Sequence, residues 1–201
     1  MPLTEVSDAY GRRAFEYIAN HGAIGNAKEA DRTLIASWAG TVRGRIIDVG
    51  SGPGQWTNFL HQAGADVEGV EPVLTFVEDA RRRYPNVSYE IGRAEHLRVS
   101  DASVGGILAW FSLIHIEPDQ IGVVFAEFAR CLQPDGSLVV GFFEGPRLAP
   151  FDHAVTTAYF WPVGLLSQVI EEAGFTVTVS HTRTDPGSRS QGAIVARGAL
   201  H

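Results

Sequence analysis

The chain has 201 residues, enough for one α/β domain with a full core and too few for two. Hydrophobic residues make up 45% and charged residues 19%, a balance that excludes disorder. The net charge of −7 weighs against a general nucleic-acid binder, and the single cysteine, Cys131, rules out an internal disulfide and any multi-cysteine metal motif.

Met1 to Tyr10 carries two acids and no apolar core, which predicts no secretory leader. The longest apolar run, Val104 to Ile116, is too short to span a bilayer, so a soluble, cytoplasmic protein is expected. Ser7 to Asn20 reads as a helix with Tyr10, Ala14, Tyr17 and Ile18 at helical spacing, and Asn26 to Ala39 as a second with Ala30, Leu34, Ile35 and Trp38.

Arg45 to Leu60 organises the chain. Ile46, Ile47 and Val49 suit a buried strand, and Gly50, Gly52 and Gly54 suit a tight turn that a ligand can approach. Helical spacing resumes at Thr57 with Phe59, Leu60 and Ala63, and Gly64 stops it. A strand feeding a helix through glycines puts free backbone N–H groups and a positive dipole end at the strand's carboxyl edge, where parallel sheets bind ligands. A dinucleotide fingerprint spaces its glycines G-x-G-x-x-G; here the spacing is G-x-G-x-G and Gln55 stands at the third position. Asp48, at the strand end, would oppose a pyrophosphate and suits the cationic amino-acid end of a ligand.

Asp66 to Glu71 alternates as a second strand and stops at Pro72. Glu71, about 20 positions after Asp48, is placed to accept hydrogen bonds from two ribose hydroxyls. Val73 to Tyr84 is a helix with Phe76, Val77 and Ala80 inward, closed by Arg81, Arg82 and Arg83, which complement its dipole. Val87 to Ile91 is a short, polar strand near an edge, and Gly92 to Leu97 is a charged loop. Val104 to Phe111 is apolar on both faces, as a central parallel strand should be, and Ser112 to Ile116 leaves it beside the glycine turn. Pro118 to Leu132 is a helix with Pro118 at its first position and Ile121, Val124, Phe125, Phe128 and Leu132 as its inner stripe. Gln133 to Gly136 is a turn and Ser137 to Phe143 a fifth strand.

Glu144 to Trp161 carries Pro146, Pro150, Asp152, His153, Tyr159, Phe160 and Trp161 with few regular signals, so it reads either as a wall of a substrate pocket or as a packed aromatic helix. Pro162 to Ala173 is the last helix. Phe175 to His181 and Gln191 to Arg197, linked through the Asp185-Pro186-Gly187-Ser188 turn, must be antiparallel. The seven histidines show no metal-ligand spacing.

Asp48-Val49-Gly50-Ser51-Gly52-Pro53-Gly54 resembles motif I (D-x-G-x-G-x-G) of the class I S-adenosylmethionine-dependent methyltransferases. Three signals follow in that family's order: Glu71, Ala94-Glu95, and Pro134-Asp135-Gly136, which is similar to its L-x-P-G-G turn. The resemblance runs from about Thr33 to the C-terminus. It implies an α/β fold with a doubly wound, seven-stranded sheet, mostly parallel with the last strand antiparallel. One domain over 1–201 is expected, with a helical lid at 1–40 and an α/β core at 41–201.

The resemblance also implies S-adenosylmethionine as cofactor, with S-adenosylhomocysteine as product. Asp48, Gly50, Ser51 and Gly52 would hold it at the turn, Glu71 and Pro72 at the ribose, and the Trp110 carbonyl at the amino group. Ala94 and Glu95 would meet the adenine; Arg93 stands where an aspartate is common, which makes Glu95 the acceptor of the exocyclic amine. Tyr10 is either a lid residue over the cofactor or a packing tyrosine. The methyl would pass in line to an O, N or C nucleophile, with His115, His153 and Asp152 as candidate bases. Trp110-Phe111-Ser112-Leu113 stands where an asparagine-proline motif would mark amino methylation of nucleic acid or protein, so a small-molecule acceptor is favoured, with no nucleic acid, membrane or metal partner. A nicotinamide-dependent oxidoreductase and a non-catalytic adenosyl-ligand binding module are the alternatives.

Overall fold

The computed structural model describes residues 9–11 and 13–198, so Ser7 and Asp8, where the first helix was expected to start, lie outside the described residues. The helices are α1 (Ala14–His21), α2 (Glu29–Ala39), α3 (Gln55–Gln62), α4 (Leu74–Arg83), α5 (Ile121–Cys131) and α6 (Val163–Glu172). The strands are β1 (Ile46–Val49), β2 (Val67–Glu71), β3 (Ser88–Ile91), β4 (Val104–Trp110), β5 (Leu132–Glu144), β6 (Ala149–Asp152), β7 (Thr157–Trp161), β8 (Phe175–Arg183) and β9 (Gln191–Gly198). No described helix is long and apolar enough to cross a membrane.

Strands β3, β2, β1, β4 and β5 lie side by side in that order and run parallel. β9 pairs antiparallel with β5, and β8 antiparallel with β9. These seven strands form the expected doubly wound sheet with the last strand reversed. Two further strands were not expected. The segment read as an irregular wall or a packed helix folds as the hairpin β6–β7, and β7 joins the tip of β5 in parallel through Phe143–Phe160 and Glu144–Trp161. β5 is long enough to serve β9 along its body and β7 at its end.

Alternation along the central strands divides the core into two layers. Ile47, Val49, Ile107, Ala109 and Val140 face one way, onto the stripes of α5 and α6. Ile46, Leu108 and Val139 face the other way, onto Ile35 and Trp38 of α2 and Trp56 and Leu60 of α3. The Trp38 indole N–H donates to Ser137 Oγ at 2.7 Å in this second layer. Part of the lid expected over 1–40 belongs to the core: α2 packs in this second layer, and Ile24 and Ala27 just before it pack against the same cluster.

Two boundaries also move. Pro118 does not start α5; residues 117–120 make a turn in which the Gln120 N–H donates to Glu117 O at 2.8 Å, and the helix begins at Ile121. The Gln133–Gly136 turn lies within β5, where Asp135 takes a left-handed φ of 64°.

Candidate active site

A cavity of about 490 Å³ opens at the carboxyl edge of β1, β2, β4 and β5. Its floor is the glycine turn, where Gly50, Gly52 and Gly54 have φ of 68°, 54° and 83°, all in the left-handed region that favours glycine. Gly50 is needed twice over: a Cβ there would stand 2.3 Å from the Ser112 Cβ, so the loop leaving β4 lies directly against the turn. At Gly52 a Cβ would meet only the Tyr17 ring, at 3.9 Å, so the space above it is open.

The turn does not offer the free N–H groups expected of it. Gly50 and Ser51 donate to Val70 O, at 2.7 and 3.2 Å, and Gly54 donates to Ser51 O at 3.0 Å. The Gly52 N–H donates to Glu71 Oε2 at 2.9 Å, and Pro53 has no N–H to give. The N–H groups of residues 50–54 are thus taken up by the protein itself. Two buried carboxylates stand at the turn, Asp48 and Glu71.

Glu71, the last residue of β2, also accepts the Val73 N–H at Oε1, at 2.8 Å. Burial raises its carboxyl to about 7; the two backbone donors pull the other way and the charge of Asp48 adds to the rise. Asp48 accepts the Thr57 hydroxyl at 2.7 Å and is likewise raised to about 7 by burial, against the Thr57 hydrogen bonds. A carboxylate has roughly four lone-pair sites, so both retain acceptor capacity.

The predicted cofactor residues Tyr10, Asp48, Gly50, Ser51, Gly52, Glu71, Pro72, Ala94, Glu95 and Trp110 all line this one cavity. Arg93 and Glu95 pair at 3.6 Å at one end of it. At the other, Phe111 follows β4 with a φ of 55°, a strained setting for an aromatic residue that turns the chain toward the cavity floor. Three buried polar atoms of the lining have no hydrogen-bond partner: Ser51 Oγ, Gln55 Oε1 and Ser112 Oγ. Buried polar atoms are rarely left so; the Gln55 oxygen can accept, and the two hydroxyls can donate or accept. The two buried carboxylates fit a ligand rich in hydroxyl and ammonium donors, as S-adenosylmethionine is, and would repel a pyrophosphate.

His115 and His153 line the cavity beyond the turn, with ring centroids 5.2 Å apart. His115 Nδ1 lies 2.7 Å from Thr157 O, which can only accept, so the proton sits on Nδ1. Its Nε2 is 2.9 Å from the Tyr10 hydroxyl and must accept from it. Burial lowers the His115 pKa, against the Thr157 hydrogen bond, which keeps the ring neutral. Tyr10 packs edge-on to Tyr17 and Phe76, and burial raises its own pKa strongly. Arg13 reaches across to donate to the Ala154 carbonyl, tying the N-terminal chain to the β6–β7 loop.

Asp152 is corrected: it is exposed at the end of β6 and does not line the cavity, because the strand's alternation turns it outward. From the aromatic segment the cavity receives His153, Ala154 and Val155, not Tyr159, Phe160 or Trp161. Sequence reasoning passed over Tyr17, Phe76, Phe143 and Gln191, which also line it. Tyr17 and Phe76 were read only as helix-stripe residues, and Gln191 only as a strand residue. Among the described residues no group of three metal-ligating side chains gathers.

Residues 46–136 match a family model described as a methyltransferase domain. A demethylmenaquinone methyltransferase of Renibacterium salmoninarum is 32% identical over 130 residues, 64% of this chain and 53% of that protein. One of Beutenbergia cavernae is 31% identical over 108 residues, 54% of this chain and 44% of that protein. The chain thus spans about half the length of these curated relatives. Among solved structures, the 1,6-didemethyltoxoflavin-N1-methyltransferase of Burkholderia thailandensis, bound to 1,6-didemethyltoxoflavin and S-adenosylhomocysteine, superposes with a TM-score of 0.77 at 19% identity. The match covers 98% of this chain and 90% of that one.

Proposed function

We propose that this chain, which belongs to the class I S-adenosylmethionine-dependent methyltransferase family, transfers a methyl group from S-adenosylmethionine to a nucleophilic atom of a small molecule. One observation carries the reading: a single cavity joins the Glu71–Gly52 turn to the His115–His153 pair. A nucleoside at the first leaves room for an acceptor at the second.

When bound, the cofactor supplies an electrophilic methyl on a sulfonium whose leaving group is already activated. What remains for the protein is to position and to exclude water. Glu71 would hold the ribose hydroxyls, with its carboxylate fixed by the Gly52 and Val73 N–H groups. Ala94 and Glu95 would meet the adenine, and Ser112 Oγ, Gln55 Oε1 and the Trp110 carbonyl are the acceptors available to the ammonium. Tyr10 and α1, tied down through Tyr10–His115 and Arg13–Ala154, would act as the lid over both ligands. His115 is the base that fits an O–H or N–H nucleophile: neutral, with Nδ1–H held by Thr157 O and its one Nε2 lone pair accepting the Tyr10 hydroxyl, through which the nucleophile's proton would pass.

Calorimetry with S-adenosylhomocysteine and with NAD tests the cofactor, and a metabolite-extract methylation screen then tests the transfer. Tight binding of the first ligand alone, with a labelled product, is expected. Binding of NAD in preference would overturn the reading, and cofactor binding with no labelled product would leave a non-catalytic binding module.

A further inference from the structure

The far end of the cavity has a chemistry of its own. β9 pairs with β5 so that Gln191 stands directly opposite Phe143. Cross-strand partners share a face, with Cβ atoms about 5 Å apart. Phe143 packs on Phe111 at 5.2 Å and on His153 at 5.9 Å, and His153 packs on His115. Gln191, Phe143, His153 and His115 therefore form a row along one wall: an amide at one end, an imidazole base at the other, aromatic rings between.

The ionic groups around the Gln191 amide are paired, and Arg189 stacks on Phe151 and donates to Asp152 O outside the cavity lining. Arg183 binds Asp31 at 2.8 Å and Asp185 at 2.9 Å, and Lys28 pairs with Asp185. Arg183 Nη2 also donates to Gln191 Oε1 at 2.8 Å. That bond fixes the amide orientation, since guanidinium can only donate, and leaves the Nε2 protons as what Gln191 can offer to the cavity. Among the described residues that line this end of the cavity, Lys28 and Asp31 are already paired, so a carboxylate or phosphate entering here would lose its water without meeting an unpaired lining cation, and a cationic amine without meeting an unpaired lining carboxylate.

We propose that the methyl acceptor is an uncharged, flat, conjugated molecule with a carbonyl on one edge and its O–H or N–H nucleophile on the other, and that Gln191 selects it by donating to that carbonyl. The ring lies along Phe143 and His153, which places the nucleophile at the hydrogen-bonded Tyr10–His115 pair. This rests on the methyl-transfer reading and deepens it.

The test uses the full chain and begins with S-adenosylhomocysteine. If that ligand fails to bind, the methyl-transfer reading itself falls, independently of the acceptor. With it bound, three probes are titrated by calorimetry at a pH where phenols are protonated. These are 7-hydroxycoumarin, with carbonyl and hydroxyl on opposite edges; 2-naphthol, with the hydroxyl alone; and 7-hydroxycoumarin-3-carboxylate, which adds a charge. Gln191→Glu keeps an oxygen for Arg183, and with it the fold, while removing the N–H donor. Both neutral probes are expected to bind, and the carboxylate to bind roughly tenfold more weakly or worse. The variant should cost 7-hydroxycoumarin roughly tenfold and leave 2-naphthol and S-adenosylhomocysteine unchanged. Equal binding of the carboxylate, equal loss of both neutral probes in the variant, or no binding of either neutral probe overturns the proposal.

Discussion

At the scale of single residues, Glu71 does two tasks with one carboxylate. It accepts the Gly52 and Val73 N–H groups, holding the glycine turn to the end of β2, and it faces the cavity with its remaining lone pairs. Glu71→Ala should weaken S-adenosylhomocysteine by on the order of 1.5–3 kcal/mol, the scale of charge-assisted hydrogen bonds. It should also lower the melting temperature, because two backbone donors lose their acceptor at about 1–3 kcal/mol each. Calorimetry and a thermal melt check the two parts; undiminished affinity would remove Glu71 from the ribose. The sequence made Glu71 legible through its distance from Asp48. It could not show the bond to Gly52, because nothing in a G-x-G-x-G string says where its N–H groups point. Asp152 failed for a similar reason. A carboxylate beside a histidine looks like a pair, but on a strand neighbours face opposite ways.

At the scale of elements, the strands and helices with clear periodicity were legible almost residue by residue, from β1 to α6. The hairpin β6–β7 was not, because its prolines and aromatics obscure the alternation and its partner, the tip of β5, is set by tertiary packing. The role of α2 was also hidden: position before the first strand says nothing of which face a helix covers. β9 is the strand on which the most depends, since it closes the sheet against β5 and carries Gln191. Gly192 allows that closure, for a Cβ there would come 2.2 Å from the Phe142 ring, which is buried. Gly192→Ala should cost on the order of 1–3 kcal/mol by overpacking. A fall in melting temperature of roughly 3–10 °C is the expected reading, and an unchanged midpoint would mean that Phe142 has room to turn.

At the scale of the whole molecule, two buried carboxylates raised to about 7 make the fold sensitive to pH. Each binds its proton more tightly folded than unfolded, where ordinary values are 3.8 and 4.5. Their contribution is therefore fully present below about pH 4 and is lost as the pH rises through about 7. The ligand-free protein should melt at a lower temperature at the upper end of this window than within it, and Glu71→Gln should flatten the slope. Hydroxyl and ammonium donors favour the ionised carboxylates, so S-adenosylhomocysteine should raise the midpoint more on the alkaline side. A midpoint that climbs with pH in the ligand-free protein would contradict this. The same cavity has an optical side. Trp110 and Trp56 both line it, their rings 5.9 Å apart, whereas Trp38 and Trp161 are buried away from it. Half of the protein's indoles thus stand where a ligand arrives and half where it does not, so the chain's own ultraviolet emission contains both a reporter of occupancy and an internal reference, with no label attached.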